Sequence, residues 1–142
     1  MTRYQYRRIK VNTNPKVFAI TLNWNGKKWL NDCLSSVLAM DYPNFEVVAV
    51  DNGSTDGSVD FIREKFHEVQ VVETGRNLGY ALGFNAGLQH AAAQGAEYFL
   101  IMNNDTVIDS QTLSALVKIT GKSACSSVAP KSTKRSNVAL ST

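Results

Sequence analysis

Apolar residues fall along this chain in short continuous runs, and the segments between the runs carry apolar positions at helical spacing. Residues 17–22, Val-Phe-Ala-Ile-Thr-Leu, are β-branched and aromatic, follow Pro15 and give way to the polar turn Asn23-Trp24-Asn25-Gly26. That pattern predicts a buried first strand. From Lys27 to Met40, Trp29, Leu30, Cys33, Leu34, Val37 and Leu38 recur on one helical face, with Asn25 placed to cap the helix. The turn Asp41-Tyr42-Pro43-Asn44 leads into a second strand, Phe45 to Val50, which stops abruptly at Asp51-Asn52-Gly53-Ser54. A helix through Val59, Ile62 and Phe66 follows, then a short third strand over Val69 to Val72. Arg76-Asn77-Leu78-Gly79 opens a helix of small residues that runs to about Gln94 and stops at Gly95. Glu97 to Met102 forms a fourth strand ending at Asn103-Asn104-Asp105, and Gln111 to Thr120 a last helix, capped by Asp109 or Ser110 and terminated by Gly121.

Strands apolar along their whole length, alternating with amphipathic helices, predict a mainly parallel sheet covered on both faces by right-handed crossovers. The fold class is therefore α/β, a three-layer doubly wound sandwich, for which the common strand order 3-2-1-4 puts the switch point between strands 1 and 4. On that order the polar ends of strands 1, 2 and 4 meet at the carboxyl edge of the sheet, where open α/β sheets bind ligands.

With 142 residues and 44% hydrophobic composition, the chain supports one domain with a real core. We assign residues 1–15 to a basic tail, 16–121 to the α/β domain, and 122–142 to a segment that is either disordered, without regular structure, or a truncated continuation, in which only Ser127-Val128-Ala129-Pro130 could start a strand. The net charge of +3 hides a strong asymmetry, because all 12 acids lie between residues 17 and 109, against five basic residues there. An acidic core gives no basic groove for nucleic acid, and it calls for a bridging cation if the ligand is a polyanion. The basic ends read as solvated tails; the interleaved Tyr4, Tyr6, Arg7 and Arg8 suit peripheral contact with an anionic membrane face as the alternative. Cys33 and Cys125 lack metal or redox spacing, and no apolar run reaches the roughly 18 residues of a spanning helix, so a cytoplasmic setting is expected.

Two strand ends carry candidate chemistry. Asp51 brings a carboxylate to the tip of a buried strand beside a flexible Asn-Gly turn, where it can accept the imide N–H of uracil or thymine. Ser54, Thr55 and Asp56 have the cap and turn chemistry of any strand-to-helix connection, whereas Asp51 precedes the turn and reads as functional. Asp105 repeats the pattern at the fourth strand, and a hard cation such as Mg²⁺ commonly uses one or two carboxylates plus phosphate oxygens and water. Gly83 and Gly87 clear one helix face for packing on the sheet, and Gly79 at the helix start can admit a nucleotide. The spacing of these glycines does not match the dinucleotide-binding fingerprint.

Taken together, Asn23-Trp24-Asn25-Gly26, Val50-Asp51-Asn52-Gly53-Ser54-Thr55-Asp56-Gly57-Ser58, Arg76-Asn77-Leu78-Gly79-Tyr80 with Gly83-Phe84-Asn85-Ala86-Gly87, and Asn103-Asn104-Asp105-Thr106 resemble the family-2 glycosyltransferases. The resemblance is strongest to the rhamnosyltransferase-like branch that serves surface polysaccharides, and it covers residues 17 to 120 in order. It implies a donor-binding half in which Asp51 meets the nucleobase and Asn23, Asn25, Asn52, Ser54, Asn77, Gly79, Asn85 and Asn104 line the substrate site. It also implies that Asp105, the last acid of a motif here altered to Asn-Asn-Asp, holds Mg²⁺ or Mn²⁺ with help from the diphosphate.

The implied partners are a nucleotide-diphosphate sugar, of the UDP or dTDP type, and a glycan or lipid-linked acceptor. The implied reaction is inverting transfer in polysaccharide or glycan synthesis. The acceptor site and catalytic base belong to a second half that these residues do not match, so a partner chain supplying it, or a non-catalytic nucleotide-sugar-binding module, stands as the alternative. A phosphoacceptor signalling domain would need acids at the end of the first strand, where Asn23 and Asn25 stand.

Overall fold

A computed structural model describes residues 14–120 and the backbone of residues 139–141. Its elements run β1 (Val17–Asn23), α1 (Lys27–Leu38), β2 (Phe45–Asp51), α2 (Ser58–Lys65), β3 (Val69–Glu73), α3 (Gly79–Ala93), β4 (Tyr98–Asn103), α4 (Thr112–Thr120) and β5 (Ala139–Ser141). Strands β3, β2, β1 and β4 lie side by side in that order and pair in parallel, as the alternation of strand and helix requires. The added β5 pairs antiparallel with β4, Leu140 opposite Leu100. It lies within the tail expected to lack regular structure; three residues in a Ser- and Lys-rich context give no periodicity to read. The basic N-terminal residues, Ser127 to Pro130 and Cys125 lie outside the described residues.

The core divides by strand parity, because successive side chains point to opposite faces of a sheet. Val17, Ala19, Val47, Ala49, Leu100 and Met102 face α1, α2 and α4, packing on Leu30, Leu34, Ile62, Leu113 and Leu116. Phe18, Ile20, Val48 and Val50 face the other way, onto Phe84 and Ala91 of α3. The connections through α1 and α2 thus cover one face, and α3, which carries the chain from β3 back to β4, covers the other. This reversal creates the crevice between β1 and β4.

Gly83 and Gly87 do what their spacing suggested. A Cβ on Gly87 would stand 2.6 Å from Val50 Cγ2 and 2.8 Å from Ile20 Cγ2, and one on Gly83 would stand 2.6 Å from Leu22 Cδ1. Trp29, expected on the buried face of α1, is 48% exposed, with Lys28 Nζ 4.6 Å from its ring centroid. The buried stripe is Leu30, Cys33, Leu34 and Val37, and Trp29 falls outside its arc.

Candidate functional site

Register brings the polar strand ends together: Asn23 lies opposite Asp51 across the β1–β2 ladder, and Leu22 opposite Asn103 across β1–β4. Asp51 is the last residue of β2 and is 3% exposed. Its Oδ2 accepts the Ser54 amide at 2.9 Å and its Oδ1 accepts Asn23 Nδ2 at 3.2 Å. Asp51 therefore closes the turn that follows it, a local role the sequence reading did not give it. A carboxylate has about four acceptor positions, and these two bonds use two of them. An open cleft of about 510 Å³ adjoins it, lined by Asp51, Gly53, Ser54, Thr55, Arg63 and Glu73 among others.

Asn23 was expected to line the substrate site and is instead fully buried. Its two amide protons go to Asp51 Oδ1 and, at 3.1 Å, to Ser54 Oγ, while its Oδ1 accepts Asn104 Nδ2 at 2.8 Å. Asn52, 3% exposed, is engaged in the same way. Its Nδ2 donates to Asn77 Oδ1 and to the Gly79 carbonyl, each at 3.1 Å, and its Oδ1 accepts the Leu78 amide at 3.0 Å. Both amides lie beneath the surface and hold the strand-end loops in place, because buried amide groups left without partners are costly. Asn77 adds a bond from the Gly79 amide to its Oδ1 at 2.8 Å, which fixes the start of α3. Gly79 sits at φ +80, with nothing within 4 Å of a would-be Cβ. Its backbone angle, more than crowding, calls for glycine.

Asn25 does not cap α1. It takes a left-handed φ of 50 and its Oδ1 accepts the Thr55 amide at 2.7 Å, while its own amide donates to Ser54 Oγ at 2.9 Å. The cap comes from the next turn of the chain. Asp56 Oδ2 accepts the Lys27 amide at 2.9 Å, and Asp56 Oδ1 accepts the Ser58 amide at 3.1 Å, so one carboxylate serves the first turns of two helices.

On the β4 side, Asp105 is exposed and Asn104 half-buried, and the Tyr80 hydroxyl donates to Asn103 Oδ1 at 3.3 Å. The cleft beside Asp51 does not extend to Asp105. Below this loop lies Cys33, whose thiol approaches the Asn103 carbonyl at 3.7 Å. Burial pushes its pKa up to about 12; the Asp105 charge adds to the rise, and the Thr106 amide opposes it. Asn85 stands exposed on α3 and makes no hydrogen bond to the cluster.

Two glycines that the sequence showed only as turn residues complete the scaffold. A Cβ on Gly26 would fall 2.1 Å from Asn104 Nδ2 and 2.7 Å from Asn23 Oδ1, so its bare backbone presses on their hydrogen bond. Gly53, at φ +79, would place a Cβ 2.7 Å from the Arg76 backbone, which brings the turns after β2 and β3 together. Strand ends facing Asn-Gly and Trp-Asn-Gly turns were the available signal, but the partner of each glycine is distant in sequence.

The profile of glycosyl transferase family 2 matches residues 18–139. Among curated proteins, the chain is 35% identical over 88 residues to a poly-beta-1,6-N-acetyl-D-glucosamine synthase of Staphylococcus epidermidis, covering 61% of this chain and 21% of that protein. It is 33% identical over 97 residues to the putative teichuronic acid biosynthesis glycosyltransferase TuaG of Bacillus subtilis, covering 66% and 37%. The chain thus spans well under half the length of either relative. Its fold matches the mannosyltransferase PcManGT from Pyrobaculum calidifontis, solved in complex with GDP-Man and Mn²⁺, at TM-score 0.80 and 23% identity over 90% of this chain and 44% of that one. It also matches S. aureus TarS in complex with UDP-GlcNAc at TM-score 0.71 and 23% identity, over 84% and 37%. With the parallel 3-2-1-4 sheet, the polar strand ends at its switch point and a family match across most of its length, this chain belongs to glycosyl transferase family 2.

Proposed function

We propose that this chain is the donor-binding part of an inverting glycosyltransferase of polysaccharide or glycan synthesis, taking a uridine or thymidine diphosphate sugar. The observation that carries the reading is Asp51, a buried strand-end carboxylate beside an open cleft, with two acceptor positions unused by the protein. In that place it accepts the imide N–H of the base. Ser54, Thr55 and Gly53 line the cleft beside it for the ribose, and Asn77 and Gly79 bound the approach of the diphosphate. Asn85, exposed on α3, is assigned to the sugar side of the same site.

Among the described residues no three His, Cys, Asp or Glu side chains gather as a metal site. The donor set nonetheless fits a hard cation, because Asp105 presents an exposed carboxylate and Mg²⁺ or Mn²⁺ completes its shell from phosphate oxygens and water. Such a cation would neutralise the charge that develops on the departing nucleotide diphosphate. Asp105 would hold it, while Asn104, tied to Asn23, fixes the backbone from which Asp105 projects. The acceptor is a glycan or lipid-linked glycan, and the general-base step is assigned to no residue of this chain. The names of the relatives, a poly-beta-1,6-N-acetyl-D-glucosamine synthase and a putative teichuronic acid biosynthesis glycosyltransferase, support this class of reaction.

Isothermal titration of the chain with UDP- and dTDP-sugars, with and without Mn²⁺ or Mg²⁺, tests the reading. Metal-dependent binding of at least one of them, lost in Asp51→Ala and weakened in the isosteric Asp51→Asn, is expected. Absence of binding for all of them, or unchanged binding in folded Asp51 variants, would overturn it. Sugar transfer by the 142-residue chain alone would set aside a purely binding module.

A further inference from the structure

The buried amide of Asn23 joins the two halves of the proposed donor site. Its Nδ2 holds Asp51 Oδ1 and Ser54 Oγ, at the base side, and its Oδ1 holds Asn104 Nδ2, one residue before Asp105. No solvent reaches Asn23, so a change in the load on one side is passed through a single rigid amide plane and is not absorbed by water. Gly26 tightens the link, since its Cα stands where any side chain would collide with Asn104 Nδ2 and Asn23 Oδ1. Thus the β1–α1 loop clamps the bond between the base side and the metal side.

We propose that Asn23 and Asn104 are positioning residues that couple the nucleobase subsite to the metal-holding loop, so that occupation of Asp51 by a base orders Asp105 for the cation. This rests on the donor-site reading above. A base N–H on an open acceptor position of Asp51 adds a bond to a carboxylate already held by the Ser54 amide and Asn23 Nδ2, and so stiffens it further. Asn23 Nδ2 is then held more firmly by Asp51 Oδ1, the same amide plane steadies Asn23 Oδ1, and Asn104 fixes the backbone from which Asp105 projects. The coupling is reciprocal by thermodynamic necessity, so the cation equally favours base binding. A hydrogen-bonded chain with one shared amide between two sites is the route proposed for it, and Gly26→Ala, which touches neither Asp51 nor Asp105, tests whether the route carries the coupling.

The test uses a probe with no phosphate, so that ligand and metal cannot touch. The ¹⁵N-labelled 142-residue chain is titrated with uridine and with thymidine in EDTA, and the amide resonances are followed by NMR, which registers millimolar binding. The Ser54 amide, the Asn23 and Asn104 side-chain amides and the Asp105 amide are expected to move along one saturation curve. Mn²⁺ affinity, read by electron paramagnetic resonance, is expected to rise on the order of 5-fold at saturating nucleoside, the low end for coupled sites. In Gly26→Ala, which keeps every polar group, and in Asn104→Ala, the Ser54 response is expected to remain and the Asp105 response and the 5-fold rise to vanish; circular dichroism verifies that each variant folds. A silent Asp105 in the parent chain while Ser54 responds, or an undiminished Asp105 response in both variants, overturns the coupling and leaves the donor site standing. No response at Ser54 to either nucleoside overturns both.

Discussion

The Asp56 carboxylate accepts the Lys27 amide at 2.9 Å and the Ser58 amide at 3.1 Å, so the first turns of α1 and α2 depend on one side chain. Asp56→Ala is expected to destabilise the chain by about 1–2 kcal/mol, the range for losing helix caps, read from urea denaturation at pH 7. The cost depends on pH. Burial works to raise the Asp56 pKa, but hydrogen bonds from the Ser58 hydroxyl and from the Lys27 and Ser58 amides outweigh it and hold the group below its ordinary value of 3.8. A group depressed on folding contributes stability above its unfolded pKa and loses it as pH falls through the folded one. The gap between parent and Asp56→Ala is therefore expected to be full at pH 7 and to shrink below the unfolded value; a gap that grew in acid would contradict the assignment.

Gly87 sets helix propensity against packing. In an exposed helix interior, Gly→Ala gains roughly 1 kcal/mol. Here the new methyl would meet Val50 Cγ2 at 2.6 Å and Ile20 Cγ2 at 2.8 Å, both on buried strands. Overpacking of that kind costs about 1–3 kcal/mol, so Gly87→Ala is expected to lower the melting temperature despite the better helix former. Thermal unfolding by circular dichroism decides the sign.

Asn52 offers a test of which atoms matter. Its Nδ2 faces two acceptors, Asn77 Oδ1 and the Gly79 carbonyl. Asn52→Asp keeps the shape and replaces that donor with oxygen, leaving buried acceptors facing a carboxylate at an expected cost of about 1–3 kcal/mol at neutral pH. Protonation restores one donor, so the deficit is expected to ease in acid. Hydrogen exchange at the Leu78 amide, which Asn52 Oδ1 accepts, should quicken in Asn52→Ala and remain slow in Asn52→Asp.

Cys33 is fully buried with its pKa pushed up to about 12 by burial first and by the Asp105 charge as well. Thiolates, and not thiols, react with disulfide reagents. In a Cys125→Ser chain, Cys33 is expected to stay unmodified by a disulfide reagent at pH 8 until denaturant unfolds the domain. Modification of the native chain at the rate of a free thiol would show that the loop above it opens. Asp105→Asn removes a like charge and is expected to lower the Cys33 pKa, measurable as faster alkylation at high pH.

The sequence by itself determined the α/β alternation, a parallel sheet and the strand ends where Asp51 and Asp105 stand, because these follow from local periodicity and from the handedness of crossovers. The order 3-2-1-4 was expected only as the common doubly wound arrangement, and the tertiary structure fixed it. It also showed the close packing of α3 through Gly83 and Gly87, since glycines at helical spacing mark a helix face without side chains. What only the tertiary structure decided is the work of the amides between those acids. Asn23, Asn25, Asn52 and Asn77 carry the same polar group in the same kind of turn, and sequence cannot tell a ligand contact from a scaffold bond. Asn23 reaches 81 residues along the chain to Asn104, and Asp56 reaches back 29 residues to Lys27. Hydrogen bonds of that span have no local signature; they exist because adjacent parallel strands bring distant turns to one edge of the sheet, where each buried polar atom must find its partner.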